Sequence, residues 1–438
     1  MRRQHTTNRD RCRTRRVAAV VGALALAAGI AAPAGAAVAP DPGFGGSGLV
    51  MTDFTGGEDA ADAIAISPSG GVVAAGFGEL GDPERPHEAG FAFARYTGTG
   101  SPDPSFSGDG RTLADFGFVN QDAEAIAVAD DGGIVGAGTI TTFDGTTSSI
   151  GIARLMADGT PDPGFGEDGL VVLHPGTLCA LGDVAFDAEG RVVVLAAASS
   201  NRGFRPIVIR LLPSGELDDS FGGGGMVRFG KPFSDSYTSL AIDGRDRLLL
   251  GGQAPRRSGT PGPAVRRMTR AGELDRGYGK DGIARPMGGG DADLADIALD
   301  GSSVLAAATC ACDGGRDDDM AISRLSNGGR RDRSFGDGGL SVIGFGPRDA
   351  EAASIAVDPG GRAVAGGTVR SGDRDLWALA RVTPGGKPDR SLARGGALST
   401  DLGGDGIRDV SVDSQSRIYA AGLGAGPDGS DFAVARFR

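Results

Sequence analysis

The amino-acid sequence predicts an all-β fold, namely a seven-bladed β-propeller with four-stranded blades. Three observations support this prediction: a short module recurs seven times, each period holds four β-like segments, and the first and last repeats are incomplete in complementary ways. Self-similarity at a nearly fixed period is typical of rings and arrays of repeats. Four strands per repeat is the number found in a propeller blade.

The recurring module is Asp-x-x-aromatic-Gly-x-x-Gly. Its aspartates follow one another at separations of 62, 59, 56, 57, 57 and 57 residues. Two copies depart from the pattern, since Leu392 replaces the aromatic residue and Ser107 replaces the following glycine. We expect these departures to affect local packing only.

Each period contains four short apolar segments and no convincing helix. In the third period they are residues 169–173, 183–187, 191–195 and 206–210. Gly, Asp and Pro occupy the junctions, and the 78 glycines of the chain fit many tight turns. The segments therefore predict four strands that run from the central axis outward.

An arginine precedes the module aspartate by eight residues, across a turn glycine. Six such pairs are contiguous: Arg95 and Asp103, Arg154 and Asp162, Arg210 and Asp218, Arg267 and Asp275, Arg324 and Asp332, and Arg381 and Asp389. An arginine and a carboxylate at this distance can meet as a bidentate pair. A feature present in every repeat indicates a structural latch, because a catalytic site requires asymmetry.

The seventh pair is divided between the two ends of the chain, as Asp41 and Arg436. We therefore expect these two residues to pair across a seam. Residues 48–54 should then form the outer strand of the last blade, beside residues 431–437. Closure by strands from both ends removes two exposed sheet edges and fixes both termini.

The repeat, as in Leu217-Asp-Asp-Ser-Phe-Gly-Gly-Gly-Gly225 followed by Ser239-Leu-Ala-Ile-Asp243, resembles the delta-60 repeat family. This family consists of tandem β repeats in exported bacterial proteins. The resemblance extends over residues 41–438. It implies a propeller architecture and export but no particular reaction, since the family has no established catalytic residues.

Residues 1–36 have the pattern of an export signal. Seven arginines precede an apolar run from Val17 to about Ala32, and Ala34-Gly35-Ala36 forms a small-x-small cleavage site. We expect residues 37–438 to form a single propeller that is secreted to the extracellular space or the cell envelope. The run is too short for a membrane span, which needs about 20 residues.

Charge excludes two classes of partner. The full chain carries −12, and the signal segment contributes seven arginines and one aspartate, so its removal leaves −18. Such an acidic surface repels phosphate backbones and anionic lipids, which argues against nucleic acid and membrane partners. We expect a monomer whose partner is a protein or a glycan.

Three cysteines follow the signal segment: Cys179, Cys310 and Cys312. Cys310 and Cys312 stand two residues apart on a predicted strand, where we expect them to be too close to pair. The sequence therefore predicts small, partly buried cysteines rather than a disulfide framework or a metal site.

One face of the predicted ring carries connections of variable length. The longest are about 78–90 and 139–149, and variable loops on a rigid scaffold commonly bind ligands. Acids stand on the same face at the start of the innermost strands: Asp62, Glu124, Asp183, Asp296 and Asp409. They could ring the channel mouth, where their oxygens could bind a ligand or Ca²⁺.

Three functions remain open from the sequence. The first is a non-enzymatic binding or scaffold module, because the only histidines after the signal, His87 and His174, stand in loops without a catalytic pattern. The second is a polysaccharide hydrolase or lyase with carboxylates near the channel mouth. The third is a purely structural surface protein.

Overall fold

Runs of Val, Ile, Leu and Ala between Gly, Asp and Pro turns fold into antiparallel sheets of four short strands. The computed structural model describes residues 39–81, 88–142, 144–200, 203–230, 234–288, 291–312, 317–425 and 430–438. Seven such sheets surround a central axis, as the sequence predicts. The predicted signal segment, residues 1–36, lies outside the described residues.

The strands of the first three blades follow the predicted path from the axis outward. Blade 1 contains β2 (Asp59–Ile66), β3 (Val72–Glu79), β4 (Ala89–Tyr96) and β5 (Arg111–Ala114). Blade 2 contains β6 (Asn120–Gln121), β7 (Ala125–Val128), β8 (Ile134–Thr141), β9 (Ser148–Leu155) and β10 (Leu170–Leu173). Blade 3 contains β11 (Cys179–Phe186), β12 (Val192–Ala198), β13 (Arg205–Leu211) and β14 (Met226–Arg228).

The next three blades repeat this order. Blade 4 contains β15 (Ser236–Ile242), β16 (Leu248–Pro255), β17 (Pro261–Met268) and β18 (Ile283–Ala284). Blade 5 contains β19 (Asp293–Asp300), β20 (Ser303–Cys310), β21 (Asp319–Leu325) and β22 (Leu340–Ile343). Blade 6 contains β23 (Ala350–Val357), β24 (Ala363–Ser371), β25 (Arg374–Val382) and β26 (Ala397–Thr400), with a 3₁₀ turn at Arg394–Gly396.

Blade 7 joins the two ends of the described chain. It contains β27 (Ile407–Val412), β28 (Ile418–Ala425) and β29 (Ser430–Phe437), and its outer strand is β1 (Leu49–Thr52). The register pairs Leu49 with Ala435 and Thr52 with Phe432. The predicted closure by an N-terminal strand is therefore confirmed.

The hydrophobic core lies between blades. Among the described residues, seven apolar clusters each join two adjacent blades, and they consist mainly of Ala, Val, Leu and Ile from the middle strands. Phe93 of blade 1, for example, is fully buried in the cluster shared with blade 2. Each blade therefore buries its two faces against its neighbours.

A β-bulge interrupts the innermost strand of blades 1, 3, 4, 5, 6 and 7. The extra residues are Asp62, Gly182, Thr238, Ala295, Ala353 and Arg408. In blade 2 the interruption is longer and divides the innermost strand into β6 and β7. The bulge brings the Ala60 carbonyl oxygen within 1.9 Å of the place where a Cβ of Gly76 would stand, so glycine is required there. A bulge re-aims the side chains that follow it.

The prediction for Cys310 and Cys312 is wrong, because the two residues form a disulfide. Cys310 is the last residue of β20, and the chain leaves the strand at Ala311 before it reaches Cys312. This bend brings the two Cα atoms to 5.2 Å, which is within the range of disulfides. Cys179 is a buried free cysteine.

Within the described ranges no helix has the length and apolar character needed to cross a bilayer.

Candidate functional site

The arginine–aspartate pairs lie on the face opposite the variable loops. All seven form ion pairs, with N···O distances of 2.6 Å for Arg436 and Asp41, 3.0 Å for Arg154 and Asp162, and 2.8 Å for the other five. Backbone hydrogen bonds also join the seam, since Asp41 N–H donates to the Arg436 carbonyl at 2.7 Å.

The latch arginine also binds the next blade. Arg210 donates through Nη1 to the carbonyl of Arg270 in blade 4, at 2.6 Å, and its guanidinium stacks 4.6 Å from the ring centroid of Phe221. Burial opposes ionisation of Asp218, but hydrogen bonds from Ser220 and the charge of Arg210 outweigh it and hold the pKa of Asp218 below its ordinary value. The contacts make these residues a structural latch between blades.

A second set of ion pairs, which the sequence analysis missed, supports the latch. The aspartate at the end of the innermost strand pairs with an arginine four residues later: Asp187 with Arg191, Asp243 with Arg247, Asp358 with Arg362, and Asp413 with Arg417, at 2.5–2.6 Å. The four-residue spacing in the sequence could have revealed these pairs.

At the other end of the channel, the five predicted acids occupy two different structural positions. Asp62 is the bulge residue of blade 1 and Glu124 directly precedes β7, whereas Asp183, Asp296 and Asp409 stand one position after a bulge. All five line a cavity of about 160 Å³ at the channel mouth. The sequence correctly places them at one end of the channel but does not reveal that they form two groups.

Residues one position after the bulge form a belt of hydrogen bonds between blades. Each of these side chains accepts the backbone N–H of the next blade: Asp183 from Leu240, Ser239 from Ile297, Asp296 from Ile355, Ser354 from Val410, and Asp409 from Ile64, at 2.7–3.3 Å. Ser239 Oγ also donates to Asp296 at 2.5 Å, and Ser354 Oγ donates to Asp409 at 2.6 Å. We call these five side chains the channel belt.

The channel belt has a structural role. Burial is the main cause that raises the pKa of Asp183, Asp296 and Asp409, the last to about 6. Oδ1 of Asp296 already accepts hydrogen bonds from Ile297 N–H and Ser239 Oγ, and Oδ2 accepts one from Ile355 N–H. In the part of the chain that the structure describes, no group of three or more His, Cys, Asp or Glu residues is arranged to hold a metal ion. The oxygens of Asp296 are therefore already occupied by donors from the protein.

The channel belt is interrupted in blades 1 and 2, where Ala63 and Ala125 occupy its positions. In these two blades the preceding residue is acidic, as Asp62 and Glu124. Asp62 Oδ1 accepts a short hydrogen bond from Arg408, and Glu124 Oε1 accepts one from Thr139 N–H at 3.1 Å. The sevenfold pattern is thus replaced locally by charged side chains.

Asp122 is a member of this site that the sequence analysis missed. Burial, the charge of Asp62 and a hydrogen bond between the two carboxyl groups raise the pKa of Asp122 to about 9. Oδ1 of Asp122 and Oδ2 of Asp62 are buried without a hydrogen-bond donor, and a proton held between the two carboxyl groups would supply one. The residues are 60 positions apart in the sequence, and only the packing of blade 1 on blade 2 brings them together.

Asp122 also lines a groove between blades 1 and 2 on the face with variable loops. The groove has a volume of about 800 Å³, and its polar and aromatic lining consists of Glu58, Phe77, Glu79, Asn120, Gln121 and Asp122. Gln121 is buried and holds the adjacent loop through hydrogen bonds to Phe116, Asp115 and Phe118. We call this cavity the blade 1–2 groove.

The two connections predicted to be the longest lie between β3 and β4 (residues 80–88) and between β8 and β9 (residues 142–147). The second part of this prediction is wrong, because the connection between β20 and β21, residues 311–318, is longer than that between β8 and β9. Of the two histidines, His87 lies outside the described residues. His174 Nδ1 lies 2.6 Å from Ser149 Oγ, beside the outer strands of blade 2.

A family profile described as a domain of unknown function (DUF5122) beta-propeller matches residues 129–165 and 188–221. Each range ends at the aromatic residue of a module, Phe165 in the first and Phe221 in the second. No curated protein sequence is significantly similar to the chain.

Solved structures with similar folds share little sequence with the chain. Acylaminoacyl peptidase of Pyrococcus horikoshii is 12% identical with a TM-score of 0.44, and the match covers 86% of this chain and 50% of that one. Drosophila Semaphorin 2a is 9% identical with a TM-score of 0.45, over 88% of this chain and 74% of that one. The arabinanase Arb43A of Bacillus subtilis is 14% identical with a TM-score of 0.32, and the match covers 57% of this chain and 92% of that one. The chain thus spans about half the length of the peptidase.

The profile match and the seven four-stranded blades together support a family of propeller-repeat proteins for this chain.

Proposed function

We propose that this chain is a secreted, non-enzymatic β-propeller of the delta-60 repeat type that binds a glycan in the blade 1–2 groove. One observation carries the proposal: the channel belt is interrupted in blades 1 and 2, and a groove of about 800 Å³ opens beside the interruption. Asymmetry of this kind distinguishes a binding site from the repeated scaffold.

The lining of the groove suits a hydroxyl-rich ligand. Glu58, Glu79 and Asn120 offer acceptor oxygens to hydroxyl donors, and the half-buried Phe77 adds an apolar surface. The volume lies within the range of roughly 300–1,000 Å³ that is usual for ligand sites. The predicted signal segment supports secretion.

A glycan panel with two matched variants tests this proposal. A bound glycan should raise the melting temperature of residues 37–438 in a concentration-dependent manner. Glu58→Gln should weaken binding about tenfold, since one hydrogen bond to a charged group contributes about 1.5 kcal/mol. Glu216→Gln is the control, because Glu216 is exposed on the opposite face. Equal binding by both variants, or no glycan bound, would contradict the proposal, and the latter result would favour a purely structural protein.

The Asp62 and Asp122 pair favours a second candidate, a polysaccharide hydrolase. Such enzymes combine a protonated carboxyl group, which acts as general acid, with an ionised carboxylate about 5–10 Å away, so the hydrogen bond between Asp62 and Asp122 must open when the substrate enters. Asp122 has a raised pKa and Asp62 is paired with Arg408. Turnover of a bound polysaccharide that is lost in both Asp122→Asn and Asp62→Asn, with the fold intact, would support the enzyme. Binding without turnover by the unaltered protein would exclude it.

Ca²⁺ provides a separate test of the channel mouth. We expect neither Ca²⁺ nor EDTA to change the melting temperature, because the oxygens of Asp296 are occupied by protein donors. An increase with Ca²⁺ that Asp183→Asn abolishes would instead place a cation at the channel belt.

A further inference from the structure

The Cys310–Cys312 disulfide lies on the variable-loop face of blade 5, away from the blade 1–2 groove. Cys310 is 2% exposed at the end of β20, whereas Cys312 is exposed in the turn that follows. An external thiol can therefore approach one sulfur of the bond from solvent. Exposed disulfides are the ones that exchange with other thiols.

A role in stability does not account for this bond. A disulfide stabilises a fold mainly by shortening the free loops of the unfolded chain, and the effect is smallest when few residues separate the two cysteines. Here a single residue, Ala311, lies between them. Cys310 is also held without the disulfide, because it is the register partner of Asp319 in β21.

A cavity beside the disulfide offers space for a substrate. It has a volume of about 390 Å³, lies between blades 4 and 5, and is lined by Cys310 together with Gln253, Arg256, Asp291 and Asp318. Arg256 forms an ion pair with Asp291 at 3.1 Å across the cavity wall. The cavity places polar side chains next to the sulfur that would become the leaving group.

We propose that the Cys310–Cys312 disulfide is a thiol–disulfide exchange site that oxidises a dithiol, such as two reduced cysteines of a peptide. A substrate thiolate attacks Sγ of Cys312, the bond between the two protein sulfurs breaks, and Cys310 leaves as a thiolate. The second substrate thiol then attacks the mixed disulfide and releases Cys312. Two electrons and two protons pass from the substrate to the cysteine pair, and the substrate gains a disulfide.

The test uses the oxidised protein and a peptide that carries two reduced cysteines, without denaturant. We expect the peptide to lose both thiols, with one disulfide formed for each protein molecule. Cys312, which is exposed, should then become reactive toward an alkylating agent, as mass spectrometry would show. Cys179 is an internal control, since it is buried, burial raises the pKa of its thiol, and it should stay unlabelled.

Two variants separate exchange from unfolding. Cys310→Ser with Cys312→Ser should abolish peptide oxidation while the circular dichroism spectrum stays unchanged, and Cys179→Ser should leave oxidation intact. Reduction of the pair only after denaturation would overturn the proposal and make the bond a structural cross-link. Isolation of the exported protein with both cysteines reduced would overturn it as well, because disulfides persist in oxidising compartments.

Discussion

The latch arginine acts on three partners at once. Arg210 pairs with Asp218 in its own blade, donates to a carbonyl of the next blade and stacks on Phe221. Only a planar guanidinium with several donors can make these contacts together. In six repeats the aromatic residue of the module is the surface on which the arginine rests. In blade 6 the buried Leu392 occupies this position.

Burial decides how much each latch contributes to stability. The Arg210 and Asp218 side chains are 4% and 7% exposed, whereas those of Arg324 and Asp332 are 18% and 31% exposed. We expect Arg210→Ala to lower the free energy of unfolding by about 3 kcal/mol, because it leaves a buried carboxylate without its main partner. Arg324→Ala should lower it by about 1 kcal/mol or less. Urea denaturation of both variants measures the difference, and equal losses would contradict this account of the latch.

Asp122 predicts a particular dependence of stability on pH. Its pKa is about 9 in the folded chain against an ordinary value of 3.8, so at neutral pH the folded state binds a proton that the unfolded state releases. The associated stability is complete below the unfolded pKa and is lost as the pH rises through the folded pKa. The Asp122→Asn side chain is neutral in both the folded and the unfolded state, and its amide N–H can still donate a hydrogen bond to Asp62. It should therefore melt at a higher temperature than the unaltered protein at pH 8.

The advantage of Asp122→Asn should disappear near pH 3, where both states of the unaltered protein are largely protonated at this position. Melting curves from pH 3 to pH 8 measure the difference in melting temperature. Asp130→Asn, at an exposed position on the opposite face, is the control and should change little. A constant difference across this range would contradict the shared proton.

At the scale of the strand, the bulge makes the channel belt possible. It turns the next side chain toward the neighbouring blade, where Asp296 accepts Ile355 N–H at 2.8 Å. Blade 2 lacks a continuous innermost strand, and Ala123 N–H donates instead to the Gly76 carbonyl of blade 1 at 3.1 Å. The same local rearrangement brings Asp122 to the boundary with blade 1.

Substitution of Ser354 measures how much the channel belt contributes to the free energy of unfolding. Its hydroxyl lies 2.6 Å from Asp409 and 3.2 Å from Asp296, and it accepts Val410 N–H. Ser354→Ala should lower the free energy of unfolding by about 1–3 kcal/mol, because buried polar groups lose a partner. Ser214→Ala, in an exposed turn, should change it little. Urea denaturation distinguishes the two, and no loss for Ser354→Ala would contradict the belt.

For the whole molecule, closure of the ring depends on one strand from the N-terminal part of the chain. Val50 of β1 is the register partner of Val434 of β29. Cysteines at both positions should form a disulfide, since opposed residues of antiparallel strands have the required separation. Cysteines at Val50 and Ala420 should not, because β29 lies between β1 and β28. Peptide mapping identifies the bond, and the reverse result would contradict the register.

The sequence predicts the ring because its period, its four apolar segments and the divided pair of Asp41 and Arg436 are all visible along the chain. It does not predict the bulges, since one extra residue within a strand leaves the spacing of the turns unchanged. Contacts between blades, such as that of Asp62 and Asp122, depend on packing that no motif encodes. The bend at Ala311 is likewise a local feature that a strand pattern conceals.

The proposal that the ligand binds where the sevenfold pattern is interrupted is tested most directly by hydrogen–deuterium exchange. The measurement compares the protein alone with the protein and the glycan that most raises its melting temperature. We expect the glycan to slow the exchange of backbone amide hydrogens in residues 56–58, 77–79 and 120–124. Exchange in the turns on the face that carries the arginine–aspartate pairs should stay unchanged. Protection confined to other blades, or no protection by any glycan of the panel, would contradict the proposal.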